Sequence, residues 1–209
     1  MCGRYYIEIS DAALKELIDD IMRRMSDQDN LQQLSFKLSG EIFPTDIVPV
    51  QSGPQQYSLM RWGFSGFPTT RENADGSKTS RAAKPIINAR SETVTAKPMF
   101  RQPVLSQRCL IPASGYYEWR KTGSGKTKYQ LYLPDQPIFM AGCYRYEADA
   151  ISPDQFGHFV ILTKPAAEDI FEIHDRMPVI FDQPGGLLWL NQGVDALSQS
   201  VNELTYAVA

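Results

Sequence analysis

The sequence predicts an α+β fold, one domain over residues 1–209 with a strand-rich mixed sheet and helices at its periphery. Three observations predict it. The 209 residues are 43% hydrophobic, enough to bury one sizeable core. One amphipathic helix stands near the start. A series of short apolar or alternating stretches follows, with no internal repeat and no regular β-α-β alternation.

The helix is "SDAALKELIDDIMRRM". Leu14, Leu17, Ile18, Ile21, Met22 and Met25 recur at helical spacing, Ser10 suits the N-cap, and Arg23 and Arg24 suit the C-terminal end of the dipole. The polar residues 26–33 make a loop. "TDIVPV" and "QYSLMRW" read as strands on either side of a Ser52-Gly53-Pro54 turn. "TTRENADGSKTSRAAK" is almost free of apolar residues and reads as an exposed, mobile loop at about 70–84, inside the domain and not between domains. Strands are then expected at "VLSQRCLIP", "GYYEWR", "TKYQLYL", "PIFMAGCYRY", "HFVILTK" and "MPVIFD", with "KTGSGK" as a hairpin turn. Short helices are expected at "PAAEDIFEI", "GGLLWLN" and "VDALSQSVNEL".

Composition excludes several classes. No run approaches the length of a bilayer span, and no basic stretch followed by an apolar one marks a signal peptide. Cys2, Cys109 and Cys143 are an odd number without Cys-x-x-Cys spacing, which speaks against a disulfide framework and a cysteine-rich zinc site. The expectation is a cytoplasmic monomer with no metal, no cofactor and no membrane contact. Net charge is -3, yet residues 60–130 hold thirteen Lys and Arg against four Asp and Glu. Such segregation gives either one basic face suited to phosphate or a merely solvated stretch.

Individual residues leave choices open. Chain ends fray, so either Cys2 is tied into a strand or it is there for chemistry. His158 opens an apolar run and reads as a structural strand residue. His174, in "EIHDRMPVIF", sits in a connection of the kind that carries function, or is a hydrogen-bonded surface histidine. In "SGYYEWR", alternation sets Tyr116 and Glu118 on one face and Tyr117 and Trp119 on the other. Glu118 is then a general acid with a raised pKa or an ion-paired edge carboxylate. Asn88 in "KPIINARSET" orients a reacting group or makes a turn, and Arg90 beside it is a candidate phosphate ligand.

Taken in order, "MCGRY", "MRWGF", "KPIINARSET", "LIPASGYYEW", "IFMAGCY" and "IHDRMPVI" closely resemble the SOS response-associated peptidase (SRAP) family, over Met1 to about Phe181. The resemblance implies a single SRAP domain, mixed α and β around a barrel-like sheet. It also implies covalent cross-linking to abasic sites in single-stranded DNA, which protects them during the DNA damage response. Cys2, Asn88, Glu118 and His174 become the expected catalytic positions, and Arg4 and Arg90 the phosphate contacts. The chain departs from the pattern twice. "IFPTD" stands where an Asn-x-Ala-Pro stretch is common, and the segment after "WGF" is long and polar without a second tryptophan. Contacts to unpaired bases then fall to Trp62, Phe64 and Phe67, with the wedge at Phe64 or Phe67.

This gives position two a chemical meaning. Only an N-terminal cysteine carries an amine and a thiol on adjacent carbons, and removal of Met1 creates one. An α-amino group with a pKa of about 7.7–8.0 is partly neutral at physiological pH and can attack an aldehyde. The thiol can then close a five-membered thiazolidine. Two readings of other classes compete: a thiol autopeptidase built on Cys2, His174 and Asn88, and a non-enzymatic reader of modified bases.

Overall fold

The computed structural model describes residues 2–9, 12–25, 35–72, 75, 77–81, 83–123, 125–148 and 155–209. The expected N-cap Ser10 and loop 26–33 lie outside them. The chain begins with β1 (Tyr5–Ile7), α1 (Ala12–Met25), β2 (Gly40–Ile42), β3 (Ile47–Gly53) and β4 (Gln56–Trp62). It continues through β5 (Thr69–Glu72), β6 (Lys78–Arg81), β7 (Asn88–Arg90), α2 (Pro98–Ser106), β8 (Arg108–Ala113), β9 (Gly115–Thr122) and β10 (Gly125–Tyr132). The last part holds β11 (Ile138–Glu147), β12 (Phe156–Pro165), α3 (Glu168–Phe171), β13 (Arg176–Pro178), β14 (Ile180–Phe181), α4 (Gln183–Gln192), a 3₁₀ helix (Gly193–Gln199) and β15 (Thr205–Val208).

Five strands close a barrel in the order β12-β4-β3-β8-β11, with β11 pairing again to β12. Around a ring of five, strand direction cannot alternate at every contact, so one parallel seam is unavoidable. Here it lies between β4 and β12, at His158↔Arg61 and Phe159↔Trp62. Where β4 ends, β7 takes its place along β12, also parallel, with Ile161↔Asn88 and Thr163↔Arg90. Gly63 makes that departure from the sheet possible. Its φ is +120°, and a Cβ there would meet Pro85 Cβ at 2.9 Å.

The apolar runs of the barrel strands are continuous because both faces are covered. Cys109, Ile111, Met140, Phe159 and Ile161 point to one core with Val48, Met60 and Trp62. Their neighbours Leu110, Phe139, Ala141, Val160 and Leu162 point the other way, into a second core closed by Val104 of α2 and Trp189 of α4. Helix α1 buries Leu14, Ile18 and Ile21, the stripe its spacing predicts.

A second, antiparallel sheet has the order β15-β10-β9-β1-β2. β8 runs almost directly into β9, so one stretch of chain belongs first to the barrel and then to this sheet. Gly115 sits at the junction because a Cβ there would lie 2.5 Å from the Leu131 carbonyl oxygen.

Several elements differ from expectation. "VLSQRCLIP" becomes a strand only at Arg108, since Val104–Ser106 end α2, whose start carries a proline in the first turn, where no N–H is needed. The polar stretch 69–84, expected as a loop, contributes the hairpin β5–β6, with Thr70↔Ser80 and Glu72↔Lys78 paired. Backbone pairing alone makes such an arm and leaves no apolar signal. "VDALSQSVNEL" yields a 3₁₀ helix, because Gly193 at φ +66° ends α4 and tightens the next turn. β15 adds to β10 through Tyr129↔Val208 and Leu131↔Tyr206 without having been expected.

Candidate active site around Cys2

β1 lies between β2 and β9, and its register sets Tyr5 opposite Tyr116. The alignment continues toward the N-terminus, where the Tyr117 N–H donates to the Arg4 carbonyl at 2.9 Å. Cys2 therefore lies three residues ahead of β1, an inner strand of the second sheet, and it is fully buried. Its thiol donates a weak 3.8 Å bond to the Arg4 carbonyl. From the barrel, Asn88 Nδ2 donates to the Cys2 carbonyl at 2.8 Å. Cys2 is thus held from both sheets at once.

Asn88 owes its place to the seam. Trp62 Nε1 donates to the Ile87 carbonyl at 3.0 Å, and Phe64 exchanges two backbone bonds with Ile86. These fix the two residues before Asn88, and pairing with β12 fixes those after it. Beyond β7, Arg176 is 8% exposed and forms a fork with both oxygens of Glu92. It also donates to the Thr163 carbonyl at 2.7 Å. The hydrogen-bonding guanidinium pulls the Glu92 carboxyl down to about 2. Sequence reasoning missed this latch, because Glu92 and Arg176 are remote along the chain and neither stands out alone.

On β9, Tyr116 and Glu118 are 0% and 4% exposed, whereas Tyr117 and Trp119 are half-buried on the opposite face. Burial, and next the negative charge of Glu118, push the Cys2 thiol well above its ordinary range. At neutral pH the sulfur therefore carries its proton.

His174 lies between α3 and β13, and two residues before it Glu172 pairs with Arg120 of β9 at 3.2 Å. Its Nδ1 is 3.0 Å from the Arg176 N–H and 2.8 Å from Asp175 Oδ1. One nitrogen serves these two partners in different protonation states. Without a proton it accepts from Arg176, and with one it donates to Asp175. His158 is a core residue, its Nδ1 2.8 Å from the Gly63 carbonyl oxygen.

The expected DNA contacts divide. Arg90 is exposed and makes no ion pair among the described residues. Arg4 is paired with Glu41 at 3.1 Å, its guanidinium over Phe43 at 4.2 Å and Trp119 at 5.0 Å. Lys128 shares Glu41 at 2.5 Å. Phe67 is 73% exposed. Trp62 and Phe64 are completely buried, which corrects their expected place on the surface. Trp62 stacks on Phe159 at 6.4 Å inside the barrel, and Phe64 packs on Phe100 at 6.0 Å. The Trp62 indole supports the strand of Asn88 from within, through the Ile87 carbonyl. Among the described residues no group of three His, Cys, Asp or Glu side chains could hold a metal ion. No helix among them is long and apolar enough to cross a membrane.

The family model described as SOS response associated peptidase (SRAP) matches residues 1–208. The chain belongs to the SRAP family. One SRAP relative, abasic site processing protein YoaM of Bacillus subtilis, is 34% identical over 203 residues, covering 91% of this chain and 79% of its own. Abasic site processing protein YedK of Escherichia coli is 34% identical over 119 residues, 56% of this chain and 52% of its own. A solved structure of a Bordetella bronchiseptica protein superposes with a TM-score of 0.69 at 21% identity, over 100% of this SRAP chain and 99% of that one, and so shares its fold.

Proposed function

We propose that this SRAP protein captures abasic sites in single-stranded DNA as a thiazolidine on Cys2 after Met1 is removed. The observation that carries the reading is a cysteine at position two, fully buried and held at its carbonyl by Asn88, with the Glu118 carboxylate acting on its thiol. The names of YoaM and YedK supply the substrate class.

The Glu118 carboxylate relays the proton of the C1′ hydroxyl to the ring oxygen, the C1′–O bond of the ring breaks, and the abasic deoxyribose opens to its aldehyde. The α-amine attacks C1′, and water leaves to give an imine. The S–H then adds across C=N. The sulfur bonds to C1′, its proton ends on nitrogen, and no oxidant is needed. A thiol that keeps its proton suits this order, since Glu118 can pass that proton from sulfur to nitrogen as the ring closes. His174 shuttles protons with the Arg176 N–H and the Asp175 carboxylate as alternating partners. Arg90 and Phe67 mark the path of the strand, and a phosphate reaching Arg4 displaces Glu41.

The competing hydrolase needs a thiolate, and burial beside Glu118 disfavours one. A reader of modified bases would leave Cys2 and Glu118 without a task. The test is incubation of mass-verified, Met1-free protein with an abasic single-stranded oligonucleotide, followed by a denaturing gel. A heat-stable adduct is expected for wild type and for Cys109→Ala, and none for Cys2→Ala. A stable adduct from Cys2→Ala at the wild-type level overturns the reading.

A further inference from the structure

Around Cys2, several polar atoms are not used by the protein itself. Among the described residues, the buried hydroxyls of Tyr5 and Tyr116 and the buried Oδ1 of Asn88 have no hydrogen-bond partner. Both tyrosines are 0% exposed. They are direct partners across β1 and β9, so their side chains leave the sheet on the same face. Cys2 acts electrostatically on both phenols, and Glu118 acts on that of Tyr116. Asn88 reaches Cys2 from the barrel, where Nδ2 is engaged with the Cys2 carbonyl and Oδ1 is left over among the described residues. Phenylalanine would fill the same volumes without burying an unsatisfied hydroxyl. Two such hydroxyls, on one face of the sheet and within electrostatic reach of Cys2, are free to serve a guest with its own hydroxyl groups.

We infer that the Tyr116 hydroxyl, assisted by Tyr5 and by Asn88 Oδ1, hydrogen-bonds the hydroxyl of an opened sugar aldehyde and makes the Cys2 site selective for hydroxylated aldehydes. The inference rests on the reading of Cys2 as an aldehyde trap. Opening the deoxyribose ring turns its ring oxygen into a C4′ hydroxyl, the one hydroxyl of an internal abasic site that is not esterified. A donor held at that oxygen favours the open chain and aims C1′ at the amine. Burial holds both phenols well above their ordinary range, so they stay donors throughout the physiological pH window.

The test uses two small aldehydes on Met1-free protein: 4-hydroxybutanal, which closes and opens as the sugar does, and butanal, which has no hydroxyl. Thiazolidine formation is followed by intact mass, with free cysteine as the reference for intrinsic reactivity. The wild-type preference for 4-hydroxybutanal should exceed that of free cysteine by about tenfold. Tyr116→Phe should bring it close to the cysteine value, with the butanal rate within about twofold of wild type and the melting temperature unchanged or higher. Tyr5→Phe should move the preference the same way by less. An unchanged preference in both variants overturns the inference and leaves the aldehyde trap standing. A fall in melting temperature together with the butanal rate also overturns it, because the hydroxyl is then structural. Wild-type protein inert to both aldehydes removes the aldehyde trap and this inference with it.

Discussion

On the proposed reading, Glu118, a 4% exposed carboxylate that acts on the buried Cys2 thiol, transfers protons. An amide of the same shape cannot transfer a proton. Glu118→Gln should therefore slow cross-linking by about 10²–10⁴-fold while changing the final yield much less, since the closed ring is the thermodynamic sink. A time course with excess protein, alongside a melting curve, separates the roles. Wild-type rates, or a loss of yield that only follows a loss of melting temperature, would remove Glu118 from the chemistry. Arg4 illustrates a different economy of charge. Glu41, shared with Lys128, pairs with it, and its guanidinium lies over the rings of Phe43 and Trp119.

At the scale of elements, the site is a junction. The segment leading into β1 carries Cys2, β9 carries Glu118 and β7 carries Asn88, and none of the three strands neighbours another in sequence. The turn after β7 is fastened to β13 by Glu92 and Arg176. The Glu92 carboxyl is lowered from 4.5 to about 2, so its folded value lies below its unfolded one. The pair then stabilises the protein above pH 4.5 and loses that contribution as pH falls toward about 2. Glu92→Gln should flatten the decline of melting temperature over that window and lower it at neutral pH. The effect should be modest, because the Glu92 side chain is 43% exposed and solvent screens the pair. Identical pH profiles for variant and wild type would show that the latch adds nothing to stability.

Across the whole molecule, the basic stretch from 60 to 130 runs through barrel, hairpin and second sheet, and Arg90 offers an exposed cation beside Asn88. Arg90→Ala should weaken single-strand binding without sequence preference. It should also reduce the slope of log affinity against log salt by about 0.7, the value for one phosphate contact on a single strand. Phe67→Ala should weaken binding by about 1–3 kcal/mol if a base stacks there. Trp62→Ala should instead lower stability by about 3–5 kcal/mol, as emptying a core position does. Salt titrations and melting curves distinguish the three variants. A surface phenotype from Trp62→Ala, with normal melting, would contradict its burial.

The sequence by itself determined the α+β class, helix α1, most of the barrel strands and the alternation of β9 that turns Tyr116 and Glu118 inward. These are local or period-two signals, written in adjacent residues. Ordered motifs identified the family, because six short blocks in register exceed what chance supplies. Only the tertiary structure decided the rest. Trp62 and Phe64 look like Phe67 in sequence, but whether a ring faces a base or a core depends on what packs over it. β1, β2 and β7 are three residues long and too short to carry a periodic signal; their partners make them strands. The Glu92–Arg176 latch and the unpartnered hydroxyls of Tyr5 and Tyr116 arise from contacts between remote segments. A linear pattern records the residues available for such contacts, and the closure of the barrel decides which of them meet.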